Sequence, residues 1–279
     1  MNQSLFSILI ANYNNGKFFK DCYDSIILQT YKNWEVIIVD DSSTDDSVAL
    51  IKKIIGDDSR FKLYENSENK GCGFTKRKCA EMASGEICAF LDPDDAITKE
   101  ALEVMIAEHV KHNDASMIYS RIIWCDEQLN TNYESKSMQV ENAVANYFDF
   151  EGFLTAFLSY KKSAYDKTEG INSYLQRAID RDLVLKLYET GPAYLLDKAM
   201  YKYRIHNNGI STNQNQDKAY FWYWVAIIDA AKRRNINIEN LFIQKSITSR
   251  REFYLQKEID SYNKSFIFKG LRKLGLFKI

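Results

Sequence analysis

Proline is nearly absent: the 279 residues hold two, Pro93 and Pro192, and no low-complexity tract or repeat, so no disordered linker is expected. The five cysteines, Cys22, Cys72, Cys79, Cys88 and Cys125, are an odd set with no CxxC pair and no zinc-like spacing to histidine. A disulfide framework and a cysteine zinc site are thereby set aside, and a reduced, cytoplasmic protein is expected. Nowhere do about 18 apolar residues run together, and the start, Met1-Asn2-Gln3-Ser4-Leu5-Phe6-Ser7-Ile8, lacks a basic stretch leading into a long apolar one. Neither a spanning helix nor a signal peptide is expected. Neither sign of charge dominates: the formal net charge is -1, so no global field favours nucleic acid or an anionic membrane.

What is present is ordinary globular material, 46% hydrophobic and 27% charged, in a chain long enough for one large domain with an appendage or for two domains. The N-terminal part alternates short apolar runs with longer amphipathic ones. Strands are predicted over Phe6 to Ala11, Glu35 to Val39, Lys62 to Glu65 and Ile87 to Leu91, and helices over Phe18 to Gln29, Ser47 to Ile55, Thr75 to Ala83 and Lys99 to His112. This order implies an α/β fold with a mostly parallel central sheet, helices on both faces, and ligands at the carboxyl ends of the strands.

One of those ends is distinctive. The run Glu86-Ile87-Cys88-Ala89-Phe90-Leu91 stops at Asp92-Pro93-Asp94-Asp95, three carboxylates where a buried strand reaches the surface. Like charges so close together call for a cation, and oxygen-rich clusters suit Mg²⁺ or Mn²⁺. Taken alone, the tetrapeptide reads equally as a turn capping the helix that begins near Thr98. Two further strand ends are polar, Asn12-Tyr13-Asn14-Asn15 and Asp40-Asp41-Ser42-Ser43, and three such ends on one edge favour a nucleotide crevice over three separate caps.

Beyond Ala115 the signal is mixed. A strand is predicted over Ser116 to Trp124, a polar stretch follows to Ser137, and a helix is predicted around Phe150 to Ser159. Leu183 to Tyr188 reads as helix, Ala193 to Leu196 and Met200 to Ile205 as extended, and Tyr220 to Arg233 and Leu241 to Asp260 as helix. His109 and His112 fall on a predicted helix and are assigned to its surface.

In order along the chain, Ala11-Asn12-Tyr13-Asn14, Val39-Asp40-Asp41-Ser42-Ser43-Thr44-Asp45, Asn69-Lys70-Gly71, Phe90-Leu91-Asp92-Pro93-Asp94-Asp95, Asp180-Arg181-Asp182-Leu183 and Tyr203-Arg204-Ile205-His206 resemble glycosyltransferase family 2 over roughly residues 4 to 212. The resemblance implies a GT-A fold, Rossmann-like in its nucleotide-binding sheet, a nucleotide-sugar donor and an inverting mechanism. It places a catalytic domain over residues 1–212 and a helix-rich C-terminal extension over 213–279.

The resemblance also implies roles. Asn12, Tyr13 and Asn14 line the nucleoside pocket, and Asp41, with Asp40 beside it, meets the base, where a carboxylate can accept from a uracil imide N–H. Asp92 and Asp94 form the DxD motif that holds Mn²⁺ or Mg²⁺ on the donor diphosphate, with Asp95 near the sugar. Asp180 is the general base on the acceptor hydroxyl, with Ile179 where the family has Glu and Asp182 as the fallback. His206 completes metal or diphosphate binding, Arg204 approaches phosphate, and Gly170 matches the small-residue loop near the acceptor. Tyr174, Trp222 and Trp224 either stack on sugars or pack in the core.

Gly71-Cys72-Gly73 partly mimics a dinucleotide fingerprint, but Lys76 stands where its third glycine belongs and could instead reach a donor phosphate. Lys76-Arg77 also replaces the family's Arg-Asn. The reading is a metal-dependent transferase moving a sugar, from a UDP-sugar, to a glycan or lipid-linked acceptor in surface-polysaccharide assembly. The rivals are a nucleotide-sugar-binding module without catalysis and a metal-dependent nucleotidyl or phosphoryl transferase. Ser265 to Ile279 mixes apolar and basic residues as a short interfacial helix would, offering peripheral contact with the inner face of the cell membrane, against the favoured alternative of a helix packed on the catalytic domain.

Overall fold

The computed structural model describes residues 4–141, 148, 154, 156–206, 216–265 and 273. The chain divides into two compact units, Met1–Ala230 and Ala231–Ile279. The boundary expected at 212/213 lies outside the described residues, as does the Ser265 to Ile279 tail apart from Ser265 and Lys273.

In the first unit, strands β1 (Phe6–Asn12), β2 (Trp34–Asp40), β3 (Phe61–Glu65) and β4 (Ile87–Phe90) alternate with helices α1 (Phe19–Ile27), α2 (Ser47–Ile55) and α3 (Cys72–Met82). A two-residue β5 (Ala96–Ile97) precedes α4 (Ala101–Lys111), β6 (Met117–Cys125), β7 (Thr131–Glu134), β8 (Leu158–Lys161), α5 (Lys162–Tyr165), α6 (Ile179–Tyr188), β9 (Ala193–Arg204) and α7 (Gln216–Arg233), which runs just past the unit's end. Among the described residues the sheet has nine strands in the order β3-β2-β1-β4-β8-β6-β9-β5, with β7 on β6.

The sequence explains the sheet's parallel half. β1 and β2 are buried along almost their whole length, as strands covered on both faces must be, and they read as continuous Ile, Val and Leu runs. Side chains alternate across the sheet. Ile8, Ile10, Val36 and Ile38 face one core with Ile26, Ile51, Leu102 and Met105 from α1, α2 and α4. Leu9, Ile37 and Val39 face the other, with Cys79 and Ala80 of α3 and Leu183, Val184 and Leu187 of α6. Parallel pairing holds through β3-β2-β1-β4; beyond it β8 runs antiparallel to both β4 and β6, and β9 returns parallel to β6.

Three expectations change. The helix predicted around Phe150 to Ser159 ends in strand: Leu158 and Ser159 open β8 and pair with Tyr119 and Ile118 of β6, while residues 150–153 and 155 lie outside the described residues. Tertiary pairing overrides a helical local pattern here. The two extended stretches Ala193 to Leu196 and Met200 to Ile205 are one strand, β9, whose register on β6 slips around Arg121. His109 is not on the surface; it is buried, with Nε2 3.0 Å from Ser159 Oγ, because the face of α4 that carries it lies against the sheet. His112 is partly exposed and stacks on Tyr194.

The second unit begins within the last turn of α7 and contains α8 (Glu239–Phe242), a π-helical stretch Ile243–Thr248 and α9 (Ser249–Lys264).

Candidate active site at the carboxyl edge of the sheet

Parallel pairing brings the polar ends of β1 and β2 side by side, in register from Phe6↔Trp34 to Asn12↔Asp40. Asp40 is buried and accepts from Asn12 Nδ2 (2.7 Å), Ser43 N (2.7 Å) and Ser43 Oγ (2.6 Å). Asn14, in the left-handed region at φ 51°, accepts from Thr44 N through Oδ1, while its own N–H donates to Ser43 Oγ. The two loops are thus fastened to each other, and Tyr13 between them is left exposed.

Asp41 is buried one residue further on. Its Oδ1 accepts from Asn66 Nδ2 (2.8 Å) and Lys70 N (2.9 Å), and its Oδ2 from Gly71 N (2.8 Å). It therefore pins the loop from Asn66 to Gly71, a task that spacing did not reveal. Gly71, at φ 87°, starts α3, and Gly73 lets that helix approach the loop before α6: a Cβ there would lie 2.4 Å from Leu175 O.

Helix α3 then sends Lys76 inward. Its buried Nζ stands 3.0 Å from Asp180 Oδ1, 3.3 Å from Asp92 Oδ1 and 5.2 Å from the centre of the Phe90 ring. Burial pulls its ammonium pKa down, but the Asp180 and Asp92 carboxylates more than reverse this, so it lies well above the ordinary lysine value and the group is a fixed cation. At Asp92, enclosure raises the pKa, Lys76 opposes, and Asp180 and Asp94 reinforce, leaving it above the usual carboxylate range.

Asp94 faces the other way, with its Oδ2 2.8 Å from His206 Nε2. His206 is packed 4.9 Å from the Phe18 ring. The structure thus joins two residues 112 positions apart that the family resemblance assigned to metal. Among the described residues no three His, Cys, Asp or Glu side chains cluster closely enough to hold a metal by themselves. The Asp94–His206 pair nonetheless fits Mn²⁺ or Mg²⁺ serving a diphosphate, because such ions take one or two protein ligands and draw the rest from phosphate oxygens and water.

Asp95 and Arg204 are both bonded to the protein itself. Asp95 is buried and accepts from Tyr201 Oη (2.7 Å) and Arg204 N (2.8 Å); burial, then Asp94 and Asp92, raise its carboxyl well above the usual range. It ties the acidic loop to β9. The Arg204 guanidinium is buried too. It donates through Nε to Asp94 O (2.6 Å), through Nη1 to Glu127 O, and through Nη2 to Asp21 Oδ2 (2.8 Å), so it holds the backbone of the acidic loop.

The two candidate bases separate clearly. Asp180, in the first turn of α6, has a side chain 75% exposed. Asp182 is 1% exposed, and its Oδ2 accepts from Asn172 N (2.8 Å) and Lys186 Nζ (2.9 Å). Lys186 also donates to Gly170 O (2.7 Å), so this buried pair holds the Gly170 to Asn172 turn in place. Gly170 is buried at φ 73°, where a Cβ would lie 2.9 Å from Tyr165 Oη. Its glycine answers a turn requirement. Tyr174 is exposed and meets the largely buried Trp222 edge-on at 5.2 Å, and Trp224 is buried. The residues that sequence reasoning passed over, Asn66, Lys186 and Tyr201, are all bonded to motif carboxylates, and only the fold shows those bonds.

An α/β sheet with strand-end carboxylates, a fixed ammonium and an acid–imidazole pair at one edge defines a nucleotide-using transferase architecture. Residues 7–183 match the profile of Glycosyl transferase family 2, and the chain belongs to that family. It is 26% identical over 277 residues to the chondroitin synthase of Pasteurella multocida (strain Pm70), covering 96% of this chain and 27% of that protein. It is 25% identical over 222 residues to the putative teichuronic acid biosynthesis glycosyltransferase TuaG of Bacillus subtilis (strain 168), covering 78% of this chain and 86% of that one. The chain spans 27% to 30% of the length of the first three curated relatives it matches. In fold it is like S. aureus TarS 1-349 in complex with UDP-GlcNAc, with TM-score 0.65, 21% identity, and coverage of 86% of this chain and 76% of that chain. It is also like the mannosyltransferase PcManGT from Pyrobaculum calidifontis in complex with GDP-Man and Mn²⁺, with TM-score 0.56, 15% identity, and coverage of 82% and 74%.

Proposed function

We propose that this chain transfers one sugar, with inversion, from a UDP-sugar to a hydroxyl of a glycan or lipid-linked acceptor during polysaccharide assembly. The observation that carries the reading is the position of Lys76, whose Nζ lies within 3.3 Å of both Asp92 of the acidic motif and Asp180, the accessible carboxylate. One buried ammonium links the place where a diphosphate would sit to the group that would take the acceptor's proton. The names of relatives in chondroitin and teichuronic acid synthesis, and the UDP-GlcNAc bound to TarS, favour a UDP-sugar donor and a polysaccharide product.

In this reading Asn12, Tyr13, Asn14 and Asp41 border the nucleoside. Asp180 accepts the acceptor hydroxyl proton while the oxygen attacks the anomeric carbon, and the bonding pair of the sugar–phosphate bond departs with UDP. Lys76 offers fixed positive charge to the leaving diphosphate, in a site already organised for it. Asp94 and His206, with Asp92 on the same loop, would hold Mn²⁺ or Mg²⁺, which when bound supplies Lewis-acid neutralisation of the diphosphate. Arg204, Asp95 and Gly170 support this constellation from behind. A cytoplasmic setting, with the C-terminal tail at the inner face of the membrane, suits a lipid-linked acceptor; no described helix is long and apolar enough to cross a membrane.

The test is a thermal-shift screen of UDP- and GDP-sugars with and without Mn²⁺, since a ligand bound only by the folded state raises the melting temperature. The best donor is then followed for UDP release with a glycan acceptor panel. UDP-sugars should shift the melting point most and turn over. Binding without turnover across the panel would identify a binding module, and release of pyrophosphate or phosphate in place of UDP would identify a nucleotidyl or phosphoryl transferase.

A further inference from the structure

In the second unit an apolar stripe lies in the open, running from Ile247 in the π-helical stretch along α9. Ile247, Tyr254, Leu255, Ile259 and Tyr262 are between 36% and 54% exposed. At 3.6 residues per turn, Arg251, Tyr254, Leu255, Glu258 and Tyr262 share a sector about 100° wide. A groove of about 480 Å³ follows the same face, lined by Ser246, Ile247, Arg251, Tyr254, Leu255 and Glu258. Away from the stripe Glu252, Gln256 and Asp260 follow one another at helical spacing, with Gln256 Nε2 donating to Asp260 Oδ1 at 3.0 Å. Phe253 lies outside the stripe and is itself exposed, with Lys257 Nζ 4.6 Å from its ring centre.

The stripe is symmetric about its own midpoint. Arg251 and Glu258 stand equally far from the point between Tyr254 and Leu255, on opposite sides of it, and so do Ile247 and Tyr262. We propose that this face is an isologous docking surface for a second copy of the chain, paired antiparallel. A two-fold axis at the midpoint sets Arg251 of each copy against Glu258 of the other, twice, with Tyr254 and Leu255 meeting at the centre and Ile247 level with Tyr262 of the other copy. Parallel pairing would set Arg251 against Arg251 and Glu258 against Glu258, so charge selects the antiparallel arrangement. A lipid surface is the poorer occupant, because an interfacial helix keeps its charges on the polar face, whereas Glu258 and Arg251 lie in the middle of the apolar one.

The test uses the full chain and measures mass in solution over a wide concentration range. The unaltered chain should reach a dimer. Arg251→Glu and Glu258→Arg should each associate about tenfold or more weakly, since each places like charges in contact. An equimolar mixture of these two variants should form heterodimers, and the double variant Arg251→Glu/Glu258→Arg should dimerise like the parent. Rescue by mixing cannot come from unfolded variants, so it keeps the proposal testable if either one is unstable. A chain monomeric throughout overturns the proposal, as do single variants that associate as tightly as the parent. So does a lowered melting temperature in the single variants with no change in mass, which would mean that the chain's own residues cover the stripe. Flotation of a monomeric chain on phosphatidylglycerol–phosphatidylcholine vesicles, with no dimer in solution, would assign the face to lipid.

Discussion

The Lys76 ammonium lies 3.0 Å from the Asp180 carboxylate, although 104 residues separate the two in the chain. Helix α3 delivers one from beside the parallel half of the sheet, and the first turn of α6 delivers the other, since both helices cover the same face and share one core. With Asp92 3.3 Å from the same nitrogen, a single buried cation lies between two carboxylates that would otherwise repel each other.

Asp180 and Asp182 are two residues apart and face different solvents, so amide substitution separates their roles. Asp180→Asn should leave UDP affinity nearly unchanged and the melting temperature close to that of the parent, while transfer falls about a hundredfold or more, the loss expected when a general base is removed. Asp182→Asn breaks the buried pair with Lys186 and should cost about 3–5 kcal/mol of stability, seen as a lower denaturation midpoint. The assignment is wrong if Asp182→Asn abolishes transfer at unchanged stability and Asp180→Asn does not.

At the other end of the acidic motif, Asp94 Oδ2 and His206 Nε2 are 2.8 Å apart, and metal dependence should follow that pair. In Asp94→Asn the melting-temperature rise produced by Mn²⁺ together with UDP should largely disappear, and excess chelator should lower donor turnover of the parent to the level of the variant. Asp92→Asn should weaken the same response. Full activity of the parent in chelator, or undiminished activity in both variants, removes the metal from the reading.

Legibility in the sequence followed the range of the forces involved. β1 and β2 were readable because burial on both faces demands uninterrupted apolar runs, and α2 matched its periodic pattern residue for residue. β7 was not, since its residues are all exposed and carry no alternation, and the first two residues of β8 were taken for helix because only pairing with β4 and β6 makes them strand. At the site, residue types pointed to the Asp92–Asp95 loop and to His206, but not to which carboxylate faces which way. Asp95 and Arg204 became struts because β9 passes directly behind the acidic loop, a neighbour that no local pattern announces.

Asp41 anchors a loop and, in the proposed reading, also borders the nucleoside. Its three N–H donors belong to the Asn66 to Gly71 loop, so Asp41→Ala strands them and should lower stability by about 1–3 kcal/mol. UDP affinity should fall as well, measured by calorimetry at a temperature where the variant is folded. Asn66→Ala, which removes only one of those donors, should reproduce part of the stability loss while retaining UDP binding. If both variants bind UDP as the parent does, Asp41 is a loop anchor alone.

His109 gives a pH prediction away from the site. Burial first, and then the Lys161 charge, lower its pKa to about 3 from the ordinary 6.5, and its Nδ1 has no hydrogen-bond partner. Between those two values the unfolded chain binds a proton that the native chain refuses. Its contribution to stability is therefore complete above about pH 6.5 and is lost as pH falls toward 3, at up to about 1.4 kcal/mol per pH unit. Carboxylates also titrate in this window, but they are common to the parent and to His109→Gln, so the difference between the two proteins isolates the imidazole. The unfolding free energy from denaturant titration should decline less steeply from pH 6.5 to pH 4 in His109→Gln than in the parent. Parallel curves would show that the histidine titrates normally and that α4 admits its charged form.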